Sequence, residues 1–343
     1  MNILICSHWF EPSIGGVESV SKILAEEWAR TGHEVVVVTN TAASHAEPPR
    51  SYTIVRQPAR AELQRLARAS NVVFQNTIAL QTLIRLVKIR KPIVVAHQSW
   101  MRTTEGKRSW KNWLKMLAVR FVSNCSISQA IAADLPVSST VIPNPFEVEE
   151  FEPFSGLPKT EDVVFVGRLV SDKGCDLLLE AVGQLQKRGV APGVVSIIGD
   201  GPELPSLKAL ARSLGIEDRV RFLGAMREGR GQVMARHRIH VVPSRWKEPF
   251  GIVALEGIAS GCAMIVSAGG GLPEAVGPCG LLFPNNDATE LATQLERLLT
   301  EPGLRDELTA RGPAHLQRFR PERVAADYLR IFEHAVDKQV GGA

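Results

Sequence analysis

Short runs rich in β-branched residues alternate with helix-period segments along nearly the whole chain, and that alternation leaves little room for anything but parallel α/β sheets. Residues 2–7 (NILICS) lead into a loop with Gly15 and Gly16, then the helix-period segment VESVSKILAEEWARTG, then 34–39 (EVVVVT), which together read as a βαβ unit. Further β-rich runs at 71–74, 92–96 and 124–127 complete a first doubly wound domain, 1–146. The stretch 147–160 mixes prolines with a cluster of acids and reads as a linker. A second series follows, with strands expected at 162–166, 194–198, 220–223, 239–242, 263–267 and 280–283, giving a second domain over 161–317. The expected class is α/β, with two Rossmann-like doubly wound domains facing across a cleft and ligand at the carboxyl ends of the strands.

A chain of 343 residues with 45% hydrophobic and 22% charged residues can fill two cores. Its five cysteines are scattered, odd in number and without CxxC spacing, which points away from a disulfide framework or a zinc site and toward a reducing compartment. The start MNILICSHWF lacks a basic leader, and no apolar run approaches the ~18 residues of a membrane span, so a cytoplasmic protein is expected. Residues 1–146 hold 17 Lys and Arg against 9 Asp and Glu, and six of those bases fall within 102–120 (RTTEGKRSWKNWLKMLAVR). Trp110, Trp113, Leu114 and Leu117 are interleaved there at helical spacing. The segment reads either as a peripheral contact for an anionic membrane surface or as a solvated helix with one core-facing side.

Four sites could carry chemistry. In EPFGIVALEG, Pro249 and Gly261 delimit a helix over about 250–260, with Glu248 in the loop ahead of it and Glu256 within it. At ~1.5 Å per helical residue the two acids stand on the order of 10 Å apart, which suits gripping two ends of one ligand better than acting on one bond. A nucleoside diphosphate sugar has that layout, and the backbone N–H groups of Phe250, Gly251 and Ile252 would face its polar middle. The segment VFVGRLVSDKG ends a strand and delivers Arg168 and Lys173, two cations suited to a diphosphate leaving group without a metal; no DxD, HExxH or histidine cluster occurs. Gly15 and Gly16 permit close approach of backbone amides to an anion, and Gly199 opens 199–201, where backbone contacts would bear on the donor's base. His97 closes the run PIVVA at another expected strand end.

These residues together resemble the retaining GT-B glycosyltransferases of the family-four type, nearly end to end: GGVE, GRLVSDKG, IIGDGPE, RVRFLG, EPFGIVALEG, GGGLPEAV and the closing PERVAADYLRIFEHA. The resemblance implies metal-independent, retaining transfer of a hexose-type sugar from a nucleoside diphosphate donor, with no bound cofactor, to a glycan or lipid-linked acceptor in cell-surface polysaccharide or glycolipid synthesis. Arg168 and Lys173 match the positions holding the donor diphosphate, and Gly16 the loop glycine near it. Glu256 matches the ribose-binding acid, Glu248 the acid beside the donor sugar, and His97 the histidine at the reacting centre. A positioning and electrostatic role fits Glu248 better than that of a nucleophile. The last helix, about 318–343, is expected to return to the first domain. Gly257 stands where alanine is common, a departure expected to matter little; Asn144-Pro145 replaces a more usual Asn-Gly. A nucleotide-sugar epimerase on the same fold and a non-catalytic sugar-nucleotide-binding subunit are the alternatives.

Overall fold

The computed structural model describes residues 1–13, 15–43, 49–101, 110–226 and 228–341, and the chain divides into two compact units, 1–146 with 318–343 and 147–317. Unit 1 holds strands β1 (Asn2–Cys6), β2 (Glu34–Thr39), β3 (Thr53–Arg56), β4 (Val72–Asn76), β5 (Ile93–His97), β6 (Ser123–Ser126) and β7 (Thr140–Val141). Its helices are α1 (Gly16–Arg30), α2 (Arg60–Ala69), α3 (Leu80–Leu86), α4 (Trp110–Ala118) and α5 (Gln129–Asp134). The strands form one parallel sheet in the order β3-β2-β1-β4-β5-β6-β7. Every residue of β4 is buried, as expected of a central parallel strand covered on both faces. β3 and the two-residue β7 were not foreseen, since TIVR and TV are too short to stand out by period against their polar flanks.

Unit 2 holds α6 (Val148–Phe151), β8 (Glu161–Val166), α7 (Cys175–Arg188), β9 (Val195–Ile198), α8 (Leu204–Ser213), β10 (Val220–Gly224), α9 (Arg230–Met234) and β11 (His237–Val242). It continues through α10 (Ile252–Ala259), β12 (Ala263–Ser267), α11 (Leu272–Val276), β13 (Gly280–Phe283), α12 (Ala288–Thr300), α13 (Pro302–Ala310) and α14 (Gly312–Leu316). The sheet order is β10-β9-β8-β11-β12-β13, again all parallel. Its core is a cluster built on Phe165, Leu178, Leu185, Ile197, Ile239, Ile265 and Leu295.

Residues 147–160 are not a free linker. They belong to unit 2, where α6 and a short 3₁₀ turn at Glu152–Phe154 seat Phe151 fully out of solvent beneath the guanidinium of Arg230, 5.1 Å from the ring centroid. Lys159 Nζ donates to the Ser260 carbonyl at 2.8 Å. Prolines and acids suggested exposure; one buried aromatic and a cation above it outweigh that composition.

The last helix, α15 (Pro321–Gly341), packs on α1 in unit 1. Tyr328 and Phe332 join Trp28 and Phe74 in a buried aromatic cluster, with Trp28–Phe332 centroids 5.1 Å and Phe74–Tyr328 centroids 5.0 Å apart. Trp28 Nε1 donates to the Ala325 carbonyl at 3.1 Å, satisfying the one polar atom of that ring.

In each sheet the strand order reverses once, between β1 and β4 in unit 1 and between β8 and β11 in unit 2. In doubly wound sheets these reversals leave a crevice at the strands' carboxyl ends, because the flanking loops depart to opposite faces.

Candidate functional site

The reversal in unit 2 gathers the residues expected around a donor. β8 ends at Val166, Arg168 follows it and is exposed, and a 3₁₀ turn at Ser171–Lys173 carries the second cation. The Asp172 carbonyl accepts hydrogen bonds from the backbone N–H groups of Arg245 (2.9 Å) and Trp246 (3.1 Å), which tie this turn to the loop after β11. Lys173 Nζ thereby reaches Glu248 Oε1 at 2.5 Å, and Ser244 Oγ donates to the same oxygen at 2.9 Å. The backbone of Glu248 is fixed as well: its carbonyl accepts from Gly271 N at 2.7 Å. Gly270, at φ +69°, lies so close that a Cβ there would fall 2.1 Å from the Glu248 carbonyl oxygen. Gly270 and Gly271 therefore seat the Glu248 loop.

Helix α10 begins at Ile252, two residues later than the sequence suggests, so Phe250 and Gly251 lie in the preceding turn. Gly251 is its N-cap with φ +110°, and Phe250 is buried. Glu256 sits within α10, nearly buried, and Arg230 from α9 donates to its Oε1 at 3.0 Å. The same guanidinium nitrogen lies 3.3 Å from Glu150 Oε2 on α6. Burial pushes the Glu256 carboxyl up to about 7; Arg230 pulls in the other direction, and Glu150 and Glu147 add to the rise. Burial raises Glu150 as well, partly offset by Arg230. Thus Glu248 and Glu256 belong to two separate networks, each with its own cation.

Gly257 matters more than its sequence context suggests. A Cβ there would stand 2.2 Å from His240 Nδ1 and 2.7 Å from Met264 Sδ. His240, on β11, is completely buried, and neither ring nitrogen has a partner among the described residues. Burial, then the neighbouring His237 and Arg230, lower its pKa to about 3, so the ring is neutral. The missing methyl at 257 is the space in which that imidazole sits.

In unit 1, His97 is the last residue of β5 and is buried. Its Nε2 lies 2.9 Å from Asn124 Oδ1, while Asn124 Nδ2 donates to the carbonyls of Val119 and Val122. The Asn124 oxygen must therefore accept, so the His97 proton is on Nε2 and Nδ1 presents a lone pair with no partner among the described residues. Gly15 and Gly16 stand at the start of α1, and the carboxylate of Glu18 folds back over Gly15, so close that a Cβ there would meet Glu18 Oε2 at 2.4 Å. Gly199 is explained by backbone packing: a Cβ would lie 1.8 Å from the Gly167 carbonyl oxygen, so the loops after β8 and β9 close on each other there.

Sequence reasoning did not single out Ser244, Arg230 or Glu150. The signal for Ser244 was present, a serine four residues before Glu248 at a strand end; nothing local marks Arg230 or Glu150, which meet Glu256 only through packing. Of the basic stretch 102–120, residues 102–109 lie outside the described residues. On α4 and just beyond it, Trp110, Trp113, Leu117 and Phe121 are exposed, Phe121 by 81%. Lys115, one of the six bases of 102–120, is partly exposed and lines a cavity. Among the described residues no helix is long and apolar enough to cross a membrane.

Two parallel doubly wound units in one chain are the architecture of the GT-B fold, and solved structures share that fold. HepE from Anabaena, in complex with UDP and glucose, superposes with a TM-score of 0.79 over 97% of this chain and all of that one at 21% identity. WaaG, a glycosyltransferase involved in lipopolysaccharide biosynthesis, gives a TM-score of 0.68 over 94% and 98% at 17% identity. Residues 147–315 match the family model described as "Glycosyl transferases group 1". Among curated proteins, the D-inositol 3-phosphate glycosyltransferase of Actinosynnema mirum is 32% identical over 243 residues, 65% of this chain and 58% of that protein. The corresponding protein of Kribbella flavida is 35% identical over 186 residues, 51% and 44%. The chain thus spans about half the length of the curated relatives it matches.

Proposed function

We propose that the chain is a retaining glycosyltransferase that moves a hexose-type sugar from a nucleoside diphosphate to an acceptor hydroxyl without a metal. The observation that carries this reading is the meeting of Lys173, Ser244 and Glu248 at the sheet reversal of unit 2, with the exposed Arg168 on the adjoining loop. Arg168 and Lys173 supply fixed positive charge for a departing diphosphate, the role a divalent ion would otherwise fill. Glu256 offers a carboxylate to ribose hydroxyls, and Glu248 positions the sugar. The bond from the anomeric carbon to the diphosphate oxygen breaks, the bond to the acceptor oxygen forms on the same face, and the acceptor proton passes to the departing phosphate. The relatives' names point to a phosphorylated polyol as acceptor, and the name of one structural neighbour to UDP as the donor's nucleotide.

A thermal-shift panel of UDP-, GDP-, ADP- and dTDP-sugars tests the donor, since a true ligand stabilises the folded state by mass action. Nucleotide release with acceptor, undiminished by chelator, supports the reading. Loss of turnover with chelator and recovery with manganese would sink its metal-free part. Isomerised donor formed without acceptor would establish the epimerase instead, and donor binding without any turnover the non-catalytic subunit.

The exposed Trp110, Trp113, Leu117 and Phe121 favour one addition. Four apolar side chains, three of them aromatic, on one short segment of a basic unit match a surface that rests on anionic lipid, which would make the protein peripheral at a membrane.

A further inference from the structure

The N-cap of α9 is Gly229, at φ +70°, and the helix opens on Arg230, which sits between two acids from different elements. Its Nη2 donates to Glu256 Oε1 on α10 at 3.0 Å and reaches Glu150 Oε2 on α6 at 3.3 Å. The guanidinium lies over the buried ring of Phe151, which gives the fork a rigid floor. Gly231 makes this meeting possible: a Cβ there would stand 1.9 Å from the Glu150 carbonyl oxygen, so any other residue would push α6 off α9.

One guanidinium cannot neutralise two carboxylates. With side-chain exposures of 25% for Arg230, 19% for Glu150 and 11% for Glu256, water does little to make up the difference, and the acid less well served by the cation takes up a proton. Sharing one nitrogen makes the two acids rivals. Glu147, just ahead of α6, adds a further negative charge. Other elements packed on α10 add none of weight: His240 of β11 is neutral, His237 and Arg238 of β11 are paired with Glu161 and Asp162, and β12 carries no titratable residue. His315 of α14 is turned to the Ala275 carbonyl, and Glu274 of α11 is partly exposed. Burial, opposed by Arg230 and reinforced by Glu150 and Glu147, brings Glu256 to about 7, where a small change in this balance switches its charge.

We propose that Arg230 and Glu150 are positioning residues for nucleotide binding: the guanidinium orients the Glu256 carboxylate for ribose and holds it ionised, Glu150 competes for that guanidinium, and their balance sets the pH above which the site takes a ribonucleotide. The ribose part rests on the reading of Glu256 given above; the control of its charge does not. Titration calorimetry of the full chain with UDP, GDP and ADP and their 2′- and 3′-deoxy forms, across neutral pH, tests it. A ribonucleotide that binds the parent should bind tighter as pH rises through about 7. Arg230→Met should move that midpoint up by roughly one pH unit or more, Glu150→Gln should move it down by a similar amount, and Arg230→Lys should leave it near the parent value. A merely structural clamp would weaken binding at every pH without moving the midpoint; that outcome, or shifts of one sign in both variants, would overturn the proposal. Where Arg230→Met does not fold, the downward shift in Glu150→Gln decides. Without any ligand, the pH at which Glu256-linked stability falls, read by urea denaturation of each variant against its double with Glu256→Gln, should move in the same directions. If those stability midpoints move while ribose and deoxyribose forms bind alike, or no nucleotide binds, the ribose assignment fails and the charge control stands. If ribose forms are preferred and no midpoint moves, the ribose reading stands and this proposal fails.

Discussion

Lys173 and Glu248, 75 positions apart in sequence, are bonded to each other at 2.5 Å, with Ser244 donating to the same carboxylate oxygen. The cation expected at the diphosphate and the acid expected at the sugar are therefore one unit in the ligand-free protein. Both are partly buried, at 27% and 14% exposure, so removing either leaves a charge with reduced solvation. Lys173→Met should lower turnover about 10²-fold or more, since the positive charge opposite the leaving group is lost. Glu248→Gln keeps the shape and the Ser244 bond and should lower turnover while leaving nucleotide affinity nearly unchanged. Steady-state rates with isothermal titration of the nucleotide check this; equal losses of affinity in both variants would refute the division of roles.

Glu256 predicts a pH dependence with a definite sign. Its carboxyl is raised from 4.5 to about 7 by burial, so between those values the folded state holds a proton that the unfolded state has lost. Stability from this group is then fully present below pH 4.5, falls as pH rises, and is gone above about 7. Glu256→Gln removes the fall: measured by urea denaturation, its stability relative to the parent should improve by roughly 3 kcal/mol from pH 4.5 to pH 8. Ribonucleotide binding should run the other way, tightening as pH rises through 7, because ribose hydroxyls donate to the ionised form. A flat difference across that range would remove Glu256 as the source.

Gly257 and His240 should behave as a coupled pair. Gly257→Ala places a methyl 2.2 Å from the His240 ring and should destabilise unit 2 by about 1–3 kcal/mol. His240→Ala in the same chain opens the space, so the double variant should be more stable than the sum of the single effects implies. Additive melting shifts would show that the methyl is accommodated elsewhere.

The exposed aromatic face of α4 should bind membranes. Flotation with anionic vesicles should recover the protein at low salt and less of it at high salt, and Trp110→Ser with Trp113→Ser and Phe121→Ser should abolish recovery. Unchanged flotation of the triple variant would assign the face to another partner.

Removing the aromatic anchors of α15 should cost unit 1 stability. Phe332→Ala leaves a void against Trp28 and Phe74 and should destabilise by about 3–5 kcal/mol, read by near-UV dichroism of the indole on denaturation. A loss below 1 kcal/mol would mean that α15 is held by its backbone contacts instead.

What the sequence by itself determined is the alternating architecture and the identity of the residues at the strand ends, because both are local. A β-rich run followed by a helix period needs no distant partner to be recognised, and most expected strands stand within one or two residues of their observed positions. Segments too short to show a period, β3 and β7, were invisible for the same reason. Tertiary structure alone decided which charges meet: Lys173 with Glu248, and Arg230 with Glu256 and Glu150. It also turned an acidic, proline-rich stretch into packed structure around Phe151, and made Gly257 the seat of a buried imidazole. Periodicity is carried by neighbours along the chain, whereas pairing and desolvation depend on what the fold brings from far away, and no spacing encodes that.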